Sequence, residues 1–318
     1  MIKETSYNKI PAFQLSDDRT SLTIVPSFGG NIAELIDTQR QHEWFYHNPA
    51  LTYQVPDYGD NYHQFDMGGM IDCFPTVEQC FYPTHPWRGT PLPSHGEVWA
   101  LPWDAQIENK EEEEDQGEII HLSTYGMRLP YRLEKWIQIQ EDGRIRFDYR
   151  ATNLSHVSMP FIWSSHPLLK ITPGMEISIP VEQMQVSSAP SFPARHAEMI
   201  AWPDYKGMEL HRVPEPDAGI AVKLFSSQLP VGWVELSDPS TGAAIRFEFD
   251  PTIVTHLGLW INYGGWAGIP GVEPYFTIAI EPCIGAPDSL ETAVNHWQQH
   301  DILPPKNSRH WWLQISTS

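Results

Sequence analysis

Three residues have the side-chain types and surroundings that acid–base chemistry requires, and the first is Glu281. It follows the apolar run Tyr275–Ile280 and precedes a Pro-Cys-Ile-Gly turn. A carboxylate at the end of a buried strand loses hydration, so it needs charged partners or a raised pKa, and either condition suits a general base or acid. A solvated glutamate at a strand end is the simpler alternative.

The other two residues are histidines. His95 lies in Ser94-His95-Gly96, a tight turn in which both the backbone and the ring can approach a ligand. His166 ends an apolar strand, and Pro167 is expected to stop further pairing, so that the ring faces whatever lies beyond the sheet. Each histidine alone is equally consistent with a structural hydrogen bond. Together with Glu281, they predict a site for proton transfer.

Several aromatic and polar residues have the chemistry of sugar contacts. The 13 tryptophans offer flat faces for the C–H bonds of a pyranose, and Trp260 stands two residues before Asn262, whose amide suits sugar hydroxyls. Asp72 is embedded in the apolar segment after Gly68-Gly69, where it acts either as a ligand or as a turn cap. Core and rim packing is the alternative explanation for many of the aromatic residues.

Metal binding is not favoured by the spacing of ligand residues. The 14 histidines include no HxH or HExxH pattern, and the three cysteines form no CxxC pair. We therefore expect no bound metal, no cofactor and reduced structural thiols.

Composition limits the partners. The 40 acidic and 20 basic residues give a formal net charge of −20, which repels a phosphate backbone, so we expect neither nucleic acid nor an anionic membrane as a partner, and a neutral small molecule fits better. The N-terminal residues show no signal-peptide h-region and no run of about 18 apolar residues occurs, so a cytoplasmic protein is expected. Oligomeric state stays open, with a homodimer as one option.

Short alternating strands separated by turns predict an all-β, antiparallel sandwich, in which residues 1–318 form a single domain. Leu22–Val25 is expected to lead through Gly29-Gly30 into Ile32–Ile36 as a hairpin, and Asp142-Gly143 marks the strongest hairpin. An acidic loop tip is expected at 111–115. Helical periodicity is confined to Ala286–Gln298, a short C-terminal helix with Asp288 as the predicted N-cap.

With these residues assembled, the chain resembles the aldose 1-epimerase (galactose mutarotase-like) superfamily. The order of five short motifs carries the resemblance: Phe28–Leu35, Gly68–Pro75, Ser94-His95-Gly96 with Trp103, Trp163–Leu168, and Ile280-Glu281-Pro282 followed by Gly285–Asp288. The resemblance runs from about residue 20 to residue 300. It implies a large β-supersandwich with a sugar pocket on its concave face.

The resemblance also implies roles. Glu281 would be the base on the anomeric hydroxyl, His166 the acid at the ring oxygen, and His95 would orient the sugar. Asp72, Trp99, Asp217, Trp260 and Asn262 are the expected substrate contacts.

Departures from the family pattern bear on the substrate. Arginines that the family commonly carries near Gly68-Gly69 and after His95-Gly96 are absent, and Trp99 stands in the second stretch, which favours a neutral sugar over a sugar phosphate. Two other functions remain open. One is a carbohydrate-binding protein without turnover, and the other is a lyase or glycoside hydrolase with Asp72 or Asp217 as its second carboxylate.

Overall fold

The protein is a sandwich of two large antiparallel sheets. The computed structural model describes residues 1–109 and 118–318, so the predicted acidic loop at 111–115 lies outside the described residues. The strands in chain order are β1 (Ile2–Tyr7), β2 (Ile10–Ser16), β3 (Thr20–Val25), β4 (Asn31–Asp37), β5 (His42–Glu43), β6 (Gly69–Cys73), β7 (Cys80–Phe81), β8 (Pro91–Leu92), β9 (Asp104–Asn109), β10 (Glu118–Tyr125), β11 (Tyr131–Ile139), β12 (Ile145–Asn153), β13 (Met159–Phe161), β14 (Trp163–Lys170), β15 (Glu176–Ser178), β16 (Gln183–Ser191), β17 (Met199–Ala201), β18 (Asp204–Tyr205), β19 (Met208–Glu209), β20 (Ile220–Ser226), β21 (Trp233–Asp238), β22 (Ala243–Phe249), β23 (His256–Tyr263), β24 (Phe276–Ile284), β25 (Asp301–Leu303) and β26 (Ser308–Thr317).

The larger sheet has twelve strands. Its order is β1-β2-β3-β4-β6-β14-β24-β23-β20-β16-β17, with β5 paired to β4. The eight-stranded sheet has the order β15-β21-β22-β26-β12-β11-β10-β9. Strands β6, β14, β24, β23 and β20 therefore lie in the middle of the larger sheet, where neighbours on both sides fix their positions.

Aromatic side chains fill the space between the two sheets. Trp163 of β14 packs against Tyr149 of β12 and Trp311 of β26, with ring centroids 4.9 and 5.3 Å apart. All three side chains are buried, as expected for alternate residues that face the interior of a sandwich. The residues of β14 that alternate with Trp163, among them His166, therefore face away from the eight-stranded sheet.

The predicted fold class and two predicted hairpins are confirmed. Strands β3 and β4 pair through the turn that holds Gly29 and Gly30, both of which have positive φ. Strands β11 and β12 pair around Asp142-Gly143, with Gly143 at φ +84° as the turn requires. The antiparallel all-β prediction thus holds on both sheets.

The predicted C-terminal helix is only partly correct. Its α-helical part, α1, spans Leu290–Thr292, and a π-helical turn follows at Ala293–Trp297. Ser289, not Asp288, is the N-cap, since its side chain accepts a hydrogen bond from the amide of Thr292. The carbonyl of Asp288 accepts the amides of Val77 and Glu78, which holds this residue outside the helix.

Further 3₁₀ turns lie at Tyr62–Gln64 and Val98–Ala100. Within the described ranges, the chain contains no helix long and apolar enough to cross a membrane.

Candidate active site

Glu281 lies inside a strand, not at its end as the sequence suggested. Strand β24 continues to Ile284, and the side chain of Glu281 is 1% exposed. The turn expected after Glu281 does not form, because Leu257 and His256 of β23 pair with Pro282 and Cys283. The solvated alternative is therefore wrong, and the site must stabilise a buried carboxyl group.

His166 faces Glu281 from the neighbouring strand. The pairs Ser164 with Cys283 and Leu168 with Ala279 place His166 directly across from Glu281. The distance between His166 Nε2 and Glu281 Oε1 is 3.6 Å. Pro167 does not stop the pairing as predicted. It pairs with Met70, because a strand can carry a proline wherever the ladder does not need its missing N–H.

His95 reaches the same place from a turn. Its backbone has φ +62°, and Ser94 Oγ lies 2.9 Å from its Nδ1. The ring stacks on Tyr62, with centroids 3.5 Å apart and planes 9° from parallel. The His95 and His166 rings meet edge to face, with centroids 5.1 Å apart. All three predicted acid–base residues are thus brought together.

The sequence analysis missed a lysine and a second carboxylate at this site. Lys223 of β20 donates a hydrogen bond from Nζ to Glu281 Oε2. The same Nζ lies 3.4 Å from Asp288 Oδ1. One signal could have revealed Lys223: a lysine in the middle of the apolar strand Ile220–Ser226 needs an acidic partner. Asp288 gave no such signal because its position suited a helix cap.

Burial is the largest influence on the pKa values of Glu281 and His166. Loss of hydration raises the pKa of Glu281, and the charge of Lys223 opposes that shift. Burial, followed by the charge of Lys223, lowers the pKa of His166 to about 3. Burial likewise lowers the pKa of His95, whereas the charges of Asp288 and Glu281 raise the pKa of Lys223 despite its burial. Lys223 therefore stays charged beside a histidine that rests neutral.

An aromatic wall stands next to these groups. Trp260 of β23 is two residues from Gly258, which pairs with Glu281, so Trp260 shares the face of the sheet that carries Glu281. Trp266 lies edge to face with Trp260 and with His63, at centroid distances of 5.5 and 5.0 Å. These rings offer the flat apolar faces expected of a sugar contact.

Asn262 supports that wall. Its Oδ1 accepts the amides of Gly265 and Trp266, and its Nδ2 donates to the carbonyl of Trp266. These contacts occupy the amide of a side chain that is 0% exposed, so Asn262 holds the turn that carries Trp266.

The other three predicted substrate contacts differ in their surroundings. Asp72 pairs with Ser165, so it faces the interior of the sandwich, where Lys135 Nζ is 2.8 Å from its Oδ2. Trp99 is fully buried, donates to the carbonyl of Ser94 and packs edge to face on Tyr62. Asp217 is exposed in the loop before β20, and none of the described contacts joins it to Glu281. Only Trp99 thus adjoins the cluster, through the support of Tyr62 and His95.

The described residues include no group of three or more His, Cys, Asp or Glu side chains that could hold a metal ion. In the cluster, the carboxyl oxygen Glu281 Oε1 lacks a hydrogen-bond partner among the described residues. The Nδ1 atom of the neighbouring His166 imidazole also lacks one among these residues. Such a pair can remove a proton from one substrate atom and deliver one to another.

Comparison with solved structures shows proteins of the same fold. The Slr1438 protein from Synechocystis sp. PCC 6803 superimposes with a TM-score of 0.68 at 20% identity, covering 99% of each chain. A galactose mutarotase-like protein from Clostridium acetobutylicum gives a TM-score of 0.71 at 14% identity, covering 100% of this chain and 98% of that one. Another, from Lactobacillus casei ATCC 334, gives 0.68 at 16% identity, covering 96% and 100%.

No profile of a known protein family matches the sequence, and no curated protein shows significant similarity to it. The evidence for relationship is therefore structural. It agrees with the resemblance carried by the five sequence motifs, and the chain has the fold of the galactose mutarotase-like superfamily.

Proposed function

We propose that this chain is an aldose 1-epimerase that interconverts the α and β anomers of a neutral sugar. The observation that supports this most strongly is the 3.6 Å approach of Glu281 Oε1 to His166 Nε2 on adjacent central strands. Opening a cyclic hemiacetal requires a base at the anomeric hydroxyl and an acid at the ring oxygen. Two such groups on one rigid sheet meet that requirement without a cofactor.

The proposed reaction moves two protons. The reactive form pairs the Glu281 carboxylate, which Lys223 holds ionised, with a His166 imidazole that takes up a proton as the substrate binds. Glu281 Oε1 then removes the proton of the anomeric hydroxyl, the C1–O5 bond breaks as C1=O forms, and His166 Nε2 protonates O5. The aldehyde rotates about the C1–C2 bond. Ring closure on the other face of C1 reverses both transfers and restores the two groups.

The charge of the site supports a neutral substrate. Lys223 is the cation of the described cluster, and it already contacts both Glu281 and Asp288. A sugar phosphate or uronate would bring a further negative charge beside two carboxyl groups. Trp260 and Trp266 instead suit the apolar face of a neutral pyranose.

Saturation-transfer NMR tests the proposal on a panel of neutral aldoses. Wild-type protein should accelerate anomer exchange for at least one sugar, and Glu281→Gln should slow it roughly 10²- to 10⁴-fold. Glu235→Gln, on β21 of the other sheet, is the matched control and should exchange at the wild-type rate. Sugar binding by wild type without faster exchange would replace the epimerase by a binding protein.

A further inference from the structure

A gap between side chains on the surface of the sheet, at Gly258, allows Lys223 to reach Glu281. The two residues lie on β20 and β24, which are separated by β23. The residue of β23 between them is Gly258, which pairs with both Glu281 and Phe225. A Cβ at Gly258 would stand 3.2 Å from Glu281 Oε2 and 3.3 Å from Lys223 Nζ. The missing side chain therefore makes room for the lysine to cross one strand.

We propose that Lys223 is a positioning residue that dedicates Glu281 Oε1 to proton transfer and keeps the carboxyl group available in its ionised form. This inference rests on the proposed function, because it assigns Lys223 a part in the same reaction. Nζ occupies Oε2. The other oxygen, Oε1, then faces His166 and the substrate side of the sheet.

Asp288 completes the arrangement. Its Oδ1 lies 3.4 Å from Nζ, so Lys223 stands between two carboxyl groups. An ammonium group with an acidic partner on each side keeps its charge in spite of burial. The backbone of Asp288 is itself fixed by the amides of Val77 and Glu78. This second partner explains why the lysine stays protonated and does not act as a base.

Several other titratable groups surround Glu281. His166 faces it from β14, Lys223 from β20 and Asp288 from the segment after β24, whereas Cys73, Cys283, Tyr62 and His95 are the remaining neighbours. Burial raises the pKa of both thiols and of Tyr62, and it lowers the pKa of both histidines. Among the residues that the structure describes around Glu281, Lys223 is therefore the one that carries positive charge near neutral pH.

Removing the charge should move the ionisation of Glu281 to higher pH. Lys223→Met keeps an apolar stem of similar length. A nearby opposite charge lowers a carboxyl pKa by roughly 1–3 units. Without Lys223, the pH midpoint of the acid limb of the kcat/KM profile should therefore move to higher pH by roughly that amount. The loss of rate should be larger at pH 6 than at pH 8. Lys223→Met with Asp288→Asn also removes the neighbouring negative charge, so its shift should be smaller.

Infrared difference spectroscopy provides a readout that does not need activity. For each background, subtracting the spectrum of the Glu281→Gln counterpart isolates the carboxyl band of Glu281 across a pH series. Lys223→Met should convert carboxylate to carboxylic acid at a higher pH than wild type. An unchanged midpoint would overturn the inference, even if wild type proves to be an epimerase. A shifted midpoint in a protein that exchanges no anomers would support the electrostatic role and contradict the proposed function.

Gly258→Ala keeps every charge and tests the gap itself. Gly258 does not have positive φ, so alanine fits its backbone, while the added Cβ crowds both Glu281 and Lys223. The midpoint of Glu281 should move in the same direction as in Lys223→Met, by less. Should Lys223→Met fail to fold, a wild-type midpoint in folded Gly258→Ala would overturn the inference.

Discussion

Glu281 and His166 face each other across two neighbouring strands in the centre of the twelve-stranded sheet, with 3.6 Å between Oε1 and Nε2. Both backbones are held by strand pairs on either side. Side chains on paired strands are positioned more tightly than side chains on loops. The two groups are thus fixed relative to each other before any substrate binds, which is the condition for efficient acid–base catalysis.

Trp260 should contribute to substrate affinity more than to the chemical step. It is half-buried, lies on the face that carries Glu281 and packs edge to face on Trp266. Trp260→Leu removes the flat surface but leaves the proton-transfer groups in place, so KM should rise while kcat changes little. Steady-state rates over a range of sugar concentrations measure the two parameters. A large fall in kcat with KM unchanged would show that Trp260 acts in the transition state instead.

The ion pair between Lys135 and Asp72 should be structural. Lys135 Nζ lies 2.8 Å from Asp72 Oδ2 between the two sheets, and Trp163 Nε1 donates to the other carboxyl oxygen at 3.0 Å. Lys135→Met leaves a buried carboxylate without its cation, which typically costs about 3–5 kcal/mol of unfolding free energy. Lys135→Met with Asp72→Asn should recover much of that loss. Urea denaturation of both variants measures it, and equal stabilities would contradict the prediction.

The pair of His47 and Asp66 should make part of the stability depend on pH. Burial alone would lower the pKa of His47, but the hydrogen bond to Asp66, 2.8 Å from Nδ1, and the charge of that carboxylate raise it overall. A folded-state pKa above the unfolded value means that the stabilisation is complete below the unfolded pKa. It is lost as pH rises through the folded pKa.

His47→Gln removes this pH-dependent part. The difference in unfolding free energy between wild type and His47→Gln should therefore be larger at pH 5.5, below about 6.5, than at pH 9. Denaturant titrations at the two pH values measure it. A difference that is the same at both values, or larger at pH 9, would contradict the assignment.

The sequence predicted the strands better than their ends. Alternation and turn residues located both hairpins, because these signals are local. Strand β24 was cut short at Ile280 because an acid followed by proline resembles a strand end. Its continuation depends on β23, whose pairing partners no local pattern reveals.

The site was predicted only in part for the same reason. His95, His166 and Glu281 were identified from their side-chain types and surroundings, the family resemblance implied their roles, and the structure brings them together. Lys223 was missed because the strand that carries it contacts Glu281 across an intervening strand, through the gap at Gly258. Asp72 was expected near the sugar, yet its register opposite Ser165 turns it into the interior.

A double-mutant cycle on anomer exchange tests the central claim most directly. Rates are measured for wild type, Glu281→Gln, His166→Gln and the double variant, each with folding checked by circular dichroism. If the two groups act as one acid–base unit, each single variant should lose nearly as much rate as the double variant. Independent, multiplicative losses, or a His166→Gln protein as fast as wild type, would contradict the account.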